Sequence, residues 1–390
     1  STSASETSNE AGKGSKVSQP AENVDAQVAE ASLPQPGEAI SASLTWKSRM
    51  ELAYATQFAV DTYEDADGMQ YEAVSVADGS RFLLIPEGGK VPEDLPDSIQ
   101  VLKRPVKQIY LVATATMDMF RMLGALPDIR FSGTDASGWY IPEAKEAMEN
   151  GSILYAGKYS EPDYETLVDG DCDLAIESTM MLHTPKVQEM IEDLGIPVFV
   201  DYSSYESHPL GRTEWIKLYG ALLNKEEEAD TFFDQQAHVI EELKGFENTE
   251  KTVAYFYVST DGSIVVRKSD DYIPSMIEIA GGRYAFKDLK NPDSNAPSVK
   301  LTMEEFYATA VDADYLIYNG TIDGQVNSIS ELEAKNELFS EFKAVKDGNV
   351  WYTGKNLYQA TDTVGELIKD MHLMLTDGDA SQMTFLEKME

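Results

Sequence analysis

The sequence predicts an α/β chain: two lobes with central, mostly parallel sheets, joined by a single long helix, plus an N-terminal β-hairpin region. Three observations predict it. Apolar runs of strand length alternate with amphipathic runs of helix length from Gln108 to Tyr202 and again from Lys251 to Leu375, the grammar of β–α units around a parallel sheet. Two amphipathic helical patterns stand back to back at mid-chain, in "ESHPLGRTEWIKLYGALLNKEEEADTFF", Glu206 to Phe233. The two halves also share a phrase, a short helix followed by Asp-x-Asp and an apolar strand, in "DCDLAIE" and "DADYLIYNG".

Residues 1–42 carry no aromatic residue and are dominated by Ser, Ala, Glu, Gly and Pro. Such a segment buries too little apolar surface to offset its ordering entropy and is expected to be a disordered tether. The N-terminal lobe is expected over 43–212. Its first part, "LAYATQFAVDTYEDADGMQYEAVSVADGSRFLLIPEG", alternates apolar and polar residues around turns at Asp67-Gly68 and Asp78-Gly79, the pattern of an antiparallel hairpin or meander. The run "QIYLVATAT", 108–116, suits a buried parallel strand. "MDMFRMLGAL" follows as a helix. The alternation continues through "IRFSGTD", a helix opened by Pro142, "SILYAGK", "PDYETLVDGDCDLAIE", a helix stopped by Gly195, and "IPVFVDY".

Residues 213–247 are expected to form the helical connection. Trp215, Leu218, Tyr219 and Leu222 share one helical face; Ala229, Phe232, Phe233, Gln236, Ile240 and Leu243 share another. Asn224 is expected to cap the second helix in a capping box with Glu227. From Lys225 to Gly245 such a helix rises about 30 Å, enough to act as a strut with a cleft left between the lobes. Residues 248–390 repeat the β–α grammar as the C-terminal lobe, from "KTVAYFYVS" to "TDTVGELIKDMHLML".

Composition excludes several functions. Lys and Arg number 31 against 68 Asp and Glu, a net charge of −37, so binding to nucleic acid or an anionic membrane is electrostatically disfavoured. The single cysteine, Cys172, forms no intrachain disulfide and no Cys-based zinc site. None of His183, His208, His238 and His372 pairs with another at short helical spacing. No metal site and no cofactor are therefore expected. No apolar run approaches the ~20 residues of a membrane span. G-x-S-x-G, P-loop, H-E-x-x-H and G-x-G-x-x-G motifs are not found, so no catalytic residues are assigned and the chain is not expected to be an enzyme.

Taken in order, "TATMDMFRMLGALPDIRFSG", "PDYETLVDGDCDLAIE", "LGIPVFV", "HPLGRTEWIKLYGALLNKEEEADTFF", "MIEIAGG", "TMEEFYATAVDADYLIYNG" and "GNVWYT" resemble the periplasmic-binding-protein family of ABC importers. The likeness runs over about residues 45–390. It is to the branch that handles iron–siderophore complexes, haem and cobalamin, whose Rossmann-like lobes are linked by a rigid helix. The resemblance implies capture of a small-molecule ligand outside the cell and delivery to an ABC transporter permease by a monomeric protein. It also implies a lipidated Cys ahead of Ser1, hence a lipoprotein at the extracellular face of the cell membrane (Gram-positive type) or in the periplasm, touching the membrane only through that anchor. It further implies one exposed permease-docking acid per lobe. Glu165, eight residues before Asp173, matches in the first; Glu304 matches in the second, with Glu305 as the alternative.

Ligands of open α/β sheets sit outside the carboxyl ends of the strands, and loops there are expected to bind. In the N-terminal half they supply Trp139, Tyr140, Lys158, Tyr159, Glu177, Tyr205, His208 and Arg212; in the C-terminal half, Tyr257, Arg267, Tyr318 and Trp351. Aromatics suit a large, flat or chelate-type ligand, and arginines suit carboxylates or an anionic ferric chelate. An iron complex, siderophore or haem, is the leading ligand. Cobalamin or another corrinoid, or a metal ion, is the alternative within the family. A tetrapyrrole chelatase-like enzyme and a non-transport surface adhesin are the alternatives outside it.

Overall fold

A computed structural model of the protein describes residues 33–291, 296–322, 324–360 and 363–390. Among these the chain divides into two compact units, the first taking residues 33–206 and 210–233, the second 207–209 and 234–390.

The first unit opens with a five-stranded sheet: β1 Thr45–Arg49, β2 Phe58–Glu64, β3 Gln70–Val76, β4 Arg81–Ile85 and β5 Ile99–Lys103, side by side in chain order. All neighbours are antiparallel except β4 and β5. The turn glycines Gly68 and Gly79 both adopt positive φ, the conformation that glycine reaches without steric cost. Most of the expected tether lies outside the described residues. Of its last residues, Ile40 is buried in this sheet's cluster with Leu44, Tyr63, Tyr71, Leu83 and Ile99, and Ser41 is buried with its hydroxyl donating to the Asp94 carboxylate at 2.6 Å.

Then comes the β–α alternation: β6 Ile109–Leu111, α1 Ala115–Met122, β7 Ile129–Ser132, α2 Pro142–Glu149, β8 Leu154–Tyr155, α3 Tyr164–Asp169, β9 Leu174–Glu177, α4 Pro185–Asp193 and β10 Val198–Val200. Its sheet runs in the order β10-β9-β6-β7-β8, parallel throughout. Chain order reverses between β6 and β9, which makes their carboxyl ends the switch point of a doubly wound sheet. The first strand is shorter than the apolar run 108–116 suggests. Val112 and Ala113 both donate to the Ile176 carbonyl, and the chain then turns into α1 at Ala115.

Next are α5 Pro209–Glu214, α6 Ile216–Leu223 and α7 Glu226–Leu243. Asn224 does not cap α7 as the acid run suggests. It ends α6 in the left-handed conformation, φ 56°, a role that asparagine tolerates better than most residues. The chain passes from the first unit to the second inside α7, between Phe233 and Asp234. Trp215 binds the first unit's layers together: its ring meets Phe58 at 5.0 Å and Phe199 at 6.3 Å, and Phe199 meets Phe82 at 5.4 Å. Aromatic pairs at these separations contribute about 0.5–1.5 kcal/mol beyond their area burial.

The second unit holds β11 Thr252–Val258, β12 Ile264–Arg267, α8 Tyr272–Ala280, β13 Arg283–Tyr284, β14 Ser298–Leu301, α9 Met303–Ala310, β15 Tyr315–Asn319, α10 Ile329–Lys335, α11 Lys343–Asp347, β16 Val350–Thr353, α12 Val364–Leu375 and β17 Leu386–Lys388. A parallel centre, β11-β15-β16 with β13 beside β11, is flanked by antiparallel β12, β14 and β17. Phe256, Phe286, Phe306, Phe339 and Phe342 form one ring-on-ring core.

Candidate ligand edge and helix-borne acids

Five strands of the first unit end on one edge of its parallel sheet. That edge collects most of the sequence-predicted ligand residues of the N-terminal half. Trp139 and Tyr140 follow β7. Trp139 is buried and its indole N–H donates to Ser132 Oγ at 3.2 Å, whereas Tyr140 is 44% exposed. Lys158 and the half-buried Tyr159 follow β8; Lys158 Nζ stands 4.0 Å from the Glu161 carboxylate. Tyr205 follows β10, packed edge-on against Tyr202 at 5.3 Å. Burial pushes the Tyr159 and Tyr205 hydroxyls above the usual phenol range.

Glu177 is the last residue of β9 and stands at the switch point. It is fully buried, and neither carboxylate oxygen has a hydrogen-bond partner among the described residues. Nearby on the same edge, the hydroxyls of Thr114, Thr134 and Thr179, following β6, β7 and β9, are buried and likewise unpartnered. An unpaired buried polar group costs about 1–3 kcal/mol, more for a charge. Burial raises the Glu177 carboxyl well above the usual carboxylate range. In its protonated form a carboxyl can both donate and accept. Sequence reasoning missed the three threonines, although each lies within three residues of a strand end, the position that picked out Glu177.

Arg212 lies on α5, and its charge reaches the buried carboxyl of Asp201. Burial raises Asp201, and hydrogen bonds from Ser203 and Tyr219 together with Arg212 oppose the rise. Two other buried acids are anchored elsewhere. Glu206 accepts from the backbone N–H groups of Thr56 and Gln57 and from the Trp215 indole. Glu214 accepts from Ala53, Tyr54 and Ala55. His208 falls among the residues that cluster with the second unit and is half-buried.

The residues predicted in the second unit are not gathered in the same way. Tyr257 is half-buried near the end of β11. Arg267 ends β12, which runs antiparallel, so it sits level with the middle of β11. There it pairs with Asp271 at 3.3 Å, its guanidinium 5.9 Å from the Tyr255 ring and 5.8 Å from the Tyr272 ring. Tyr318 is fully buried in β15 and its hydroxyl accepts from Val258 N at 3.2 Å. Trp351 is buried in β16 with Lys388 Nζ 5.9 Å from its ring. No group of three or more His, Cys, Asp and Glu suited to a metal ion occurs among the described residues.

Each unit also carries an exposed glutamate at the second position of a side-chain-capped helix. Asp163 caps α3 by accepting from Thr166 N, and Glu165 is exposed. Thr302 caps α9 by accepting from Glu305 N, and Glu304 is exposed. Glu305 differs from its neighbour: its carboxylate folds back onto Thr302 N and closes a capping box.

Comparison with known proteins agrees with this architecture. The sequence profile of the periplasmic binding protein family matches residues 111–357. An uncharacterized lipoprotein of Methanocaldococcus jannaschii is 25% identical over 347 residues, spanning 84% of this chain and 80% of that protein. The petrobactin-binding protein YclQ of Bacillus subtilis has a similar structure, with a TM-score of 0.56 at 16% identity over 79% of this chain and 99% of that one. So does a periplasmic haem-binding protein of Pseudomonas aeruginosa, with a TM-score of 0.56 at 14% identity over 73% and 98%. At these identities the structural likeness is one of fold. No helix among the described residues is long and apolar enough to cross a membrane. The family is one of binding proteins rather than enzymes. With more than half its length matched, the chain belongs to the periplasmic binding protein family, as a solute-binding protein of ABC import.

Proposed function

We propose that the protein captures an iron complex, a ferric siderophore or haem, outside the cell and hands it to an ABC permease through Glu165 and Glu304. The observation that carries the ligand class is the set of tyrosines along one sheet edge. Tyr140, Tyr159 and Tyr205 follow three different strand ends around Glu177. Aromatic faces with hydroxyl tips suit a broad, flat chelate, and the buried carboxyl and threonine hydroxyls suit its polar substituents. Proteins of like fold are described as binding petrobactin and haem, which supports the same class. Kinship with a lipoprotein supports attachment to the outer face of the membrane by an N-terminal lipid.

The test is an optical spectrum of the protein purified from its own host, followed by uptake assays. An iron-chelate charge-transfer band or a haem Soret band is expected, with uptake lost in Glu165→Ala and Glu304→Ala while ligand binding persists. A corrinoid spectrum would move the ligand to the cobalamin class. Unchanged uptake in both variants would overturn the docking role.

A further inference from the structure

The antiparallel-rich sheet that opens the first unit carries a cavity of about 340 Å³ where β4 and β5 end. Every residue lining it falls within 85–107, ahead of residue 111, where the family profile begins. The lining holds three cations, Lys103, Arg104 and Lys107, against one acid, Glu87. The cations come from "KRPVK", three bases within five residues of a chain whose acids outnumber its bases 68 to 31.

Arg104 is fixed in place. Its side chain is 10% exposed, and Nη1 donates to Glu72 at 2.7 Å and to Glu226 at 3.2 Å. Its backbone N–H donates to the Ile85 carbonyl at 3.1 Å, which ties the end of β5 to the end of β4. Nε and Nη2 donate to no described residue. Glu72 and Glu226 balance the Arg104 charge, so Arg104 contributes directed donors, and the pull on an anion comes from Lys103 and Lys107. Both lysines are exposed, and neither side chain makes an ion pair or hydrogen bond to a described residue; the Lys107 charge also reaches Asp128. Gly88, left-handed at φ 78°, and Gly89 add no side chain to the wall. A Cβ at Gly89 would meet the Pro86 carbonyl oxygen at 3.0 Å.

We propose that this cavity binds the phosphoryl group of a small phosphomonoester or of free phosphate, held by the Arg104 guanidinium and flanked by Lys103 and Lys107. A planar guanidinium with two unused donors matches a pair of phosphoryl oxygens, and lysine serves phosphate as a point charge. The volume stands at the low end of ligand pockets, which fits a phosphate with a small polyol attached. A net charge of −37 repels anionic polymers and membranes at long range, which leaves a small anion as the occupant. The site is independent of the transport reading.

The test is isothermal titration of the full chain at neutral pH and low salt with inorganic phosphate and, separately, with glycerol 3-phosphate. Saturable one-to-one binding is expected, and the tighter of the two probes identifies the source of the group. Affinity should fall about tenfold in Lys103→Ala/Lys107→Ala. It should hold in Lys300→Ala/Lys346→Ala, a pair of exposed lysines in the second unit. An unchanged melting temperature confirms that both variants fold. No saturable binding of either probe below roughly 10 mM overturns the proposal. So does equal affinity in the two double variants, or displacement of the bound phosphate by an equal concentration of acetate.

Discussion

Thr302 and Glu305 cap each other: the Thr302 hydroxyl accepts from Glu305 N at 3.1 Å, and the Glu305 carboxylate accepts from Thr302 N at 3.1 Å. That reciprocity gives Glu305 a structural task and leaves its exposed neighbour Glu304 for a partner. Glu305→Ala should therefore destabilise the protein by about 0.5–2 kcal/mol, the range for a lost cap, with little effect on uptake. Glu304→Ala should do the reverse, changing stability by no more than about 0.5 kcal/mol. Paired urea melts and uptake assays separate them.

Glu214 ties α5 to a segment about 160 residues earlier in the chain. Its fully buried carboxylate accepts from three consecutive backbone N–H groups, Ala53 to Ala55, and pairs with Lys217 at 2.8 Å. Glu214→Ala would strand all four donors. A loss of about 3–5 kcal/mol is expected, the cost of breaking a buried pair. Chemical denaturation would read it; a loss under about 1 kcal/mol would mean that those donors find water.

The burial of Glu177 has a pH signature. Its folded pKa is raised by burial above the ordinary 4.5. Between those two values the native state holds a proton that the unfolded chain releases, so this group's contribution to stability falls as pH rises through that window. Glu177→Gln removes the proton without changing the shape. The variant should match the parent near pH 4 and become more stable relative to it above about pH 4.5, by at most about 1.4 kcal/mol per pH unit. Urea melts of both proteins at pH 4, 5.5 and 7 check this, and a constant difference across the series would show that Glu177 is ionised in the native state.

Cys172 is buried, its thiol pushed up to about 12 chiefly by desolvation. The nucleophile is the thiolate, so the native protein should resist iodoacetamide at pH 8 and react fully once unfolded. Mass spectrometry of the alkylated protein distinguishes the two; rapid native labelling would mean that β9 opens locally.

The sequence displayed the β–α alternation because strands buried on both faces read as apolar runs, as "LAIE" and "VFV" do in β9 and β10. It displayed the meander turns because Gly68 and Gly79 supply positive φ. It misjudged Asn224, since the acids after it satisfy a capping pattern while the backbone there is left-handed and closes α6 instead. Within the candidate ligand edge, strand ends located Glu177 and the tyrosines. Which polar groups are orphaned depends on packing across β6, β7 and β9, contacts distant in sequence. In the second unit, Arg267 stands four positions before Asp271, the N-cap of α8, and only the fold shows that the two are buried as a pair.

Differential scanning calorimetry with a panel of ferric siderophores, haem and cyanocobalamin tests the central claim most directly. At 100 times its dissociation constant the correct ligand should stabilise the protein by about 2.7 kcal/mol, and Tyr140→Ala should weaken that gain. A melting temperature that stays fixed across the whole panel would contradict capture of a chelate by this protein.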